Sequence, residues 1–279
     1  MKQEPGPIPE ADLHCHTTAS DGLLTPGELV KLASRRGLKA IAITDHDTIS
    51  GWSEAEKVGS KSDTIILRGL ELNTVWDNKE VHILGYQMDG KSGIMRERLL
   101  ELQQSRFDRI KEILNRLEQI DIKIPIGDVL EYAQGESVGR PHVARALVKH
   151  RHVINNQEAF VRYLGLGAPA YVPRFKLDTV EGIRFIRESK GIAVLAHPGR
   201  QGLKEDTIAS WVKEGLQGLE IIHSDHNSID QEFYSKIALK YDLIMTGGSD
   251  FHGANKPNVP LGKWGVSLDV VWQIKGLEN

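Results

Sequence analysis

Short runs of β-branched and aliphatic residues recur along this 279-residue chain and alternate with stretches whose apolar positions repeat at helical spacing. That alternation is the sequence form of repeated strand and helix units packed on a mostly parallel sheet. Seven runs read as strands: 11–17, 40–44, 64–72, 81–88, 191–196, 218–222 and 243–247. Seven is an odd number for a closed barrel. Thr25-Pro26 and Gly37 bracket one intervening helix, with Thr25 as N-cap, Pro26 at the first helical position and Gly37 as the stop. Residues 178–189 and 206–214 read as two more. The segment 90–170 breaks the rhythm, because a long charged helix over 94–120 is followed by helical stretches at 127–133, 141–149 and 157–164 with no convincing strand. We read an α/β barrel domain formed by 10–89 and 171–279, with 90–170 as an inserted helical domain. The polar face of the long helix reads as solvated scaffold.

Composition narrows the function classes. The charged fraction of 26% and the formal net charge of -3 give no field that would gather nucleic acid nonspecifically, so an anionic substrate must be attracted locally. A single cysteine excludes an internal disulfide and a CxxC zinc site, and it fits a reducing compartment. No apolar run reaches the roughly 18–20 residues of a membrane span. The opening MKQEPGPIPE is polar and proline-rich, unlike a signal peptide. These features lead us to expect a cytoplasmic protein without a membrane partner.

Chemistry concentrates where the strands end. His14 and His16 stand one residue apart, and side chains at i and i+2 of a strand share a face, so both imidazoles converge while Cys15 turns away into packing. Asp21 follows. Asp45 and His46 close the second strand, Glu71 lies in the third, His82 in the fourth, His197 follows the fifth, Glu220 and His223 end the sixth, and Asp250 and His252 follow the seventh. In parallel strand–helix architectures those ends face one side of the molecule, where loops build the active site. One such histidine is unremarkable, but acidic or imidazole groups at every strand end point to a shared metal site. Imidazole and carboxylate without thiolate suit Mn, Fe or Zn, and no GxSxG elbow is present to supply a serine nucleophile.

The stretches DLHCHTTASDG, AITDHDT, GLELN, His82, AHPGR and GGSDFHG resemble, in order, the successive motifs of the polymerase and histidinol phosphatase (PHP) superfamily. The likeness is greatest to its TrpH-like branch of small phosphoesterases, which includes 3',5'-nucleotide bisphosphate phosphatases and 5'-to-3' oligoribonucleotide exonucleases. The resemblance implies a distorted seven-stranded (β/α)7 barrel, in keeping with the strand count. It also implies three metals: His14, His16, Glu71 and Asp250 on the first, Glu71, His82 and His197 on the second, and Asp21, His46 and His252 on the third. Two to three divalent ions are expected, manganese foremost, with zinc or iron as alternatives.

Other residues are assigned around that centre. Asp45 is expected to orient His46 or another imidazole as an acceptor, Asp47 to cap a turn, and His223 to donate to a phosphoryl or leaving oxygen. In the insertion, Arg140, His142 and Arg145 open a helix and are expected to hold substrate phosphate, as is Arg200 beside His197. Trp52 reads as structural. The expected activity is hydrolysis of the 3'-phosphate of a nucleoside 3',5'-bisphosphate, and of short 5'-phosphorylated RNA, through a metal-activated hydroxide. Histidinol phosphate is a rival substrate, but its single phosphate gives no reason for a second phosphate clamp. A regulatory binding protein on the same scaffold is the rival outside enzymology, and it would not need a complete ligand set.

Overall fold

The computed structural model describes residues 9–133, 137–173 and 177–276. Its seven strands are β1 (Ala11–Asp12), β2 (Ala40–Ile43), β3 (Ile65–Trp76), β4 (Lys79–Tyr86), β5 (Ile192–Leu195), β6 (Gly218–Ile222) and β7 (Ile244–Gly247). They form one sheet in sequential order. Beyond β1 the chain bends toward β7: Leu13 N–H donates to Gly247 O at 3.1 Å and His16 N–H to Phe251 O at 2.9 Å, which brings the first and last strands together as a nearly closed barrel.

The helices are α1 (Pro26–Arg35), α2 (Trp52–Gly59), α3 (Gly93–Glu118), α4 (Ile126–Leu130), α5 (Arg140–Lys149), α6 (Asn156–Ala159), α7 (Thr179–Glu188), α8 (Glu205–Lys213), α9 (Ser228–Lys240) and α10 (Leu268–Lys275). A π-helical turn, Phe160–Leu164, continues α6. Helix α1 starts as its sequence predicts. Thr25 Oγ1 accepts from Glu28 N–H at 3.2 Å while Thr25 N–H donates to Glu28 Oε2 at 2.9 Å, satisfying two donors that the first turn leaves open.

One connection departs from the expected strand–helix repeat. β3 runs on to Trp76 and returns as β4 through Asp77-Asn78, with Trp76 paired to Lys79. Both turn residues have positive φ, 48° and 59°, as a two-residue hairpin requires. β4 is therefore antiparallel to β3 and to β5, whereas the remaining neighbours are parallel. The reversal moves His82, near the start of its strand, to the same barrel mouth as the C-terminal ends of the parallel strands. β1 is also shorter than the expected 11–17: regular pairing stops at Asp12, and the two histidines lie just beyond it.

Among the described residues, three apolar clusters hold the molecule. The largest lies between the sheet and the surrounding helices and includes Leu29, Ile43, Leu72, Ile183 and Trp211, with Cys15 buried among them. A smaller one gathers Leu13, Ala42, Leu67, Leu84, Tyr86 and Val194 and is closed by Val271 and Ile274 of α10. A third belongs to the insertion, where Ile110, Ile113 and Leu117 of α3 pack with Val143 and Leu147 of α5 and with Leu164. The first half of α3 instead gives Met95, Leu99 and Leu102 to the barrel cluster, so one helix is rooted in both. Each buried Leu or Ile contributes about 1.5–3 kcal/mol relative to exposure. Trp52 is buried, and its indole N–H donates to Gly69 O at 2.7 Å.

Candidate metal centre and substrate cavity

At the barrel mouth five imidazoles crowd around Glu71. His14 Nε2 lies 3.4 Å and His16 Nε2 3.2 Å from Glu71 Oε2, and His46 Nδ1 is 2.9 Å from the same oxygen. Glu71 Oε1 faces His82 Nδ1 at 2.7 Å and His197 Nε2 at 3.2 Å. Asp250 Oδ1 lies 3.2 Å from His16 Nε2 and 3.4 Å from His252 Nδ1, and Asp21 Oδ1 lies 3.2 Å from His252 Nε2. Among the described residues, three groups compact enough for one ion each overlap at the mouth: His14, His16, Glu71 and Asp250; His46, Glu71 and His82; and His16, Asp21, His46 and His252; a fourth compact group is His14, Glu220 and His223. The first is the set the sequence resemblance implies. In the second, His46 takes the place expected of His197, which still reaches Glu71.

The backbone is bent to achieve this. His197 (φ 30°) and Asp250 (φ 56°) both occupy left-handed conformations, each at a cost of order 1–3 kcal/mol that the surrounding packing must hold. Gly248 lets β7 pass against the first strand's extension: a Cβ there would lie 2.3 Å from His14 Cβ and 2.4 Å from His14 N.

The donor chemistry fits divalent cations. His14 Nε2, both ring nitrogens of His16, Glu71 Oε2 and Asp250 Oδ1 are buried without an aligned hydrogen-bond partner, and buried polar atoms in that state call for an ion or ordered water. Burial opposes a charged imidazole throughout, yet the outcomes differ. His46 and His197 are pushed down to about 4 by desolvation, whereas the carboxylates of Glu71 and its neighbours outweigh burial at His16 and His82 and bring them to about 9. Glu71 is held well below the usual carboxylate range, because its imidazole neighbours outweigh the desolvation that opposes its charge.

Glu220 sets the geometry from behind. Its Oε1 lies 3.0 Å from His14 Nδ1 and its Oε2 accepts from His197 N–H at 2.9 Å. With the His14 proton on Nδ1, the Nε2 lone pair is turned toward the cluster. The sequence does signal this residue, as the one carboxylate inside the apolar run GLEII. His223 accepts from Asp225 N–H at Nδ1, 3.0 Å away, so its neutral ring carries the proton on Nε2, 3.7 Å from Asp250 Oδ2.

Several assignments move. Asp45 spends its hydrogen bonds elsewhere than on an imidazole: it accepts from Thr17 N–H and Thr17 Oγ1, each at 2.7 Å, and from Ser20 Oγ at 2.6 Å, and reaches His16 only through its charge. It braces the loop that carries Asp21. Asp47 is more than a turn cap. Arg106 Nε of α3 donates to its Oδ2 at 2.7 Å, Arg106 Nη2 reaches the same oxygen, and Asn73 Nδ2 donates to it at 2.9 Å, so this carboxylate ties the insertion to the barrel.

A cavity of about 480 Å³ opens on the cluster and is bounded by Asp21, His46, Glu71, His82, Asp250 and His252 together with Arg140, Arg200, Lys256 and Phe160. Arg140 is held by a bond from Nη1 to Leu164 O at 3.1 Å, with its guanidinium 5.6 Å from the Phe160 ring centre and 5.7 Å from that of Tyr171. Lys256, which sequence reasoning missed, pairs with Asp250 Oδ2. His142 and Arg145 are not on this wall. His142 Nδ1 accepts from Gly139 N–H at 3.0 Å, closing the start of α5, and burial pushes its pKa down to about 4, so it offers no cation. Arg145 stacks over Tyr132, 4.2 Å from the ring centre.

Comparison with known proteins follows the same lines. A 5'-3' exoribonuclease, Rnm, of Escherichia coli K12 is 34% identical over 272 residues, covering 94% of this chain and 92% of that one. A 3',5'-nucleoside bisphosphate phosphatase of Chromobacterium violaceum is 31% identical over 246 residues, covering 86% of each chain. A solved structure from Bifidobacterium adolescentis, put forward as a metal-dependent phosphoesterase, superposes with a TM-score of 0.91 at 34% identity, covering 97% of this chain and 96% of that one. The PHP domain family matches residues 12–156. The chain belongs to the PHP domain family, and it is a metal-dependent phosphoester hydrolase.

Proposed function

We propose that this protein removes the 3'-phosphate of nucleoside 3',5'-bisphosphates and, in the same site, cleaves short 5'-phosphorylated RNA. The observation that carries this reading is a single cavity bounded both by the imidazole–carboxylate cluster and by Arg140, Arg200 and Lys256. Two anionic groups of one substrate can then be held at once. The names of the Escherichia coli and Chromobacterium violaceum relatives support the same substrate class.

The three ligand groups would hold two to three divalent cations, manganese in our reading. Such ions supply Lewis-acid polarisation of the phosphoryl group and a nucleophile from water at neutral pH. The chain's own residues do the rest. Glu220 fixes the rings of His14 and the backbone at His197. The Nε2–H of His223 faces the centre and suits a hydrogen bond to a phosphoryl or leaving oxygen. Arg140, preset by Leu164 O and two aromatic rings, offers its remaining N–H groups to the phosphate that does not react, and Arg200 offers a second fork. Phe160 gives the cavity a flat apolar surface for a base. Among the described residues no helix is long and apolar enough to cross a membrane. With its one thiol buried and unpaired, we place the activity in the cytoplasm.

The test is turnover by the manganese-loaded protein on a nucleoside 3',5'-bisphosphate, a nucleoside 3'-monophosphate, 5'-phosphorylated RNA and histidinol phosphate, with metal content measured in parallel. The bisphosphate and the RNA should exceed the two singly phosphorylated compounds in kcat/KM. Preference for histidinol phosphate, or no activation by manganese, zinc or iron, overturns the reading.

A further inference from the structure

A second cavity, of about 500 Å³, adjoins the first and shares Glu80, His82, Arg140 and Arg200 with it. It is formed where the tip of the β3–β4 hairpin meets the insertion, and its own contributions include Lys79, Leu166, Tyr171 and Gln201. Its volume falls in the range of small-molecule sites, about 300–1,000 Å³. We propose that it receives the nucleotide beyond the scissile phosphodiester when RNA is the substrate. This rests on the functional reading above and assigns a separate place to the part of the substrate that a bisphosphate lacks.

Three features carry the assignment. First, the cavity adjoins the hydrolytic one along the shared residues Glu80, His82, Arg140 and Arg200, so it lies next to the place where a phosphodiester held at His82 and Glu71 would continue. Second, its charge suits a phosphate backbone: Lys79 is a cation of this cavity alone, beside Arg140 and Arg200 on the walls it shares with the first, while the carboxylate Glu80 sits 2.8 Å from His82 Nε2. Third, it carries surface for a base. Leu166 is 87% exposed, and Tyr171 lines the cavity with a ring over which the Arg140 guanidinium lies, 5.7 Å from the ring centre. Cations that follow a backbone beside an aromatic and apolar platform are how proteins bind single strands without reading their sequence. A nucleoside bisphosphate would fill the first cavity and leave the second unused.

The experiment compares kcat/KM on a nucleoside 3',5'-bisphosphate with that on 5'-phosphorylated RNA of two to five nucleotides, for the wild-type protein, Lys79→Ala and Leu166→Glu. Neither residue touches the metal cluster or belongs to the phosphate-binding set proposed above. We expect each variant to lose roughly 2-fold to 5-fold on the RNAs, the upper part of the range for one exposed charge contact, and to stay within about 1.5-fold of wild type on the bisphosphate. The salt dependence of RNA turnover should also become shallower in Lys79→Ala, by about 0.7 in the log–log slope. Wild-type rates on RNA in both variants, or equal losses on both substrates, overturn the assignment while bisphosphate turnover leaves the parent reading standing. If the wild-type protein turns over neither substrate, the parent reading falls and this one falls with it.

Discussion

Replacing Arg140 by alanine is the most discriminating perturbation of the first cavity, because the residue contributes to substrate only through its guanidinium. That group spends one N–H on Leu164 O at 3.1 Å and is fixed between Phe160 and Tyr171, which leaves the rest of its fork for a phosphate. A charge-assisted hydrogen bond of this kind is worth about 1.5–3 kcal/mol, or roughly 10-fold to 150-fold in kcat/KM. The loss should be confined to substrates with a second phosphate. Kinetics of wild type, Arg140→Ala and Arg140→Lys on a nucleoside 3',5'-bisphosphate and on the matching 3'-monophosphate measure it directly. Arg140→Lys keeps the charge but gives up the fork and the flat stacking face, so it should fall between the other two. Freeing Leu164 O lowers stability somewhat, but that cost is common to both substrates and cancels in the ratio. Equal losses on bisphosphate and monophosphate would refute the reasoning, as they would place Arg140 at the reacting phosphate or in the fold.

Three further outcomes test the site from other sides. Gly248→Ala would drive a methyl group into the His14 backbone, and equilibrium dialysis should show metal affinity reduced at least about 10-fold, whereas Gly93→Ala, with nothing nearby, should match wild type; unchanged affinity in Gly248→Ala would refute the packing argument. Glu220→Gln keeps the shape but loses the carboxylate that orients His14 and His197, so metal affinity should fall about 10-fold to 100-fold while circular dichroism stays native, and wild-type affinity would count against its orienting role. His142, whose folded pKa of about 4 lies below the ordinary 6.5, contributes stability that is complete above about pH 6.5 and declines as pH falls toward 4, because only the unfolded chain takes up the proton in that window. Between pH 7.5 and 5 this amounts to about 2 kcal/mol, so urea unfolding of wild type should lose that much more than His142→Gln, which keeps an acceptor for Gly139 N–H; parallel curves would exclude it.

Strand positions were legible because a parallel sheet covered on its faces needs nearly continuous apolar runs, as AIAI of β2 and IAVL of β5 show. The hairpin was less legible. Asp77-Asn78 lacks the glycine that usually marks a two-residue turn, and 64–72 and 81–88 both look like ordinary members of a strand–helix series. Missing it also hides why His82, near the start of its strand, can join residues from the ends of others. That the strand ends share one metal-binding mouth could be read from residue type and order, since each strand brings its own donor there; the division into groups came only from the family resemblance, and of the three implied sets only His14, His16, Glu71 and Asp250 gather unchanged. The role of Asp45 could not be read. Its neighbours Thr17 and Ser20 lie on a different loop, 28 and 25 residues away in sequence, and an aspartate next to a ligand histidine looks the same whether it binds an imidazole or a backbone amide.

Helix α3 shows what periodicity offered beyond its apolar positions. Met95, Leu99, Leu102, Ile113 and Leu117 are buried at spacings of three and four, and Arg106 and Arg109 occupy the places in that stripe between Leu102 and Ile113. An arginine on the buried face of a helix must find an acceptor, since an unpaired charge in the interior is far costlier than an exposed one. Both do: Arg109 Nε donates to Val172 O at 2.8 Å, and Arg106 pairs with Asp47. The stripe alone therefore demands two acceptors from elsewhere in the chain, even though it cannot say which ones. Asp47 follows His46 directly, and its other oxygen accepts from Asn73 N–H two residues after Glu71. The ion pair that docks the insertion thus rests on the loop and strand that present two of the central metal-site residues, so the position of Arg140 above the cavity and the position of the cluster within it are set by one shared joint.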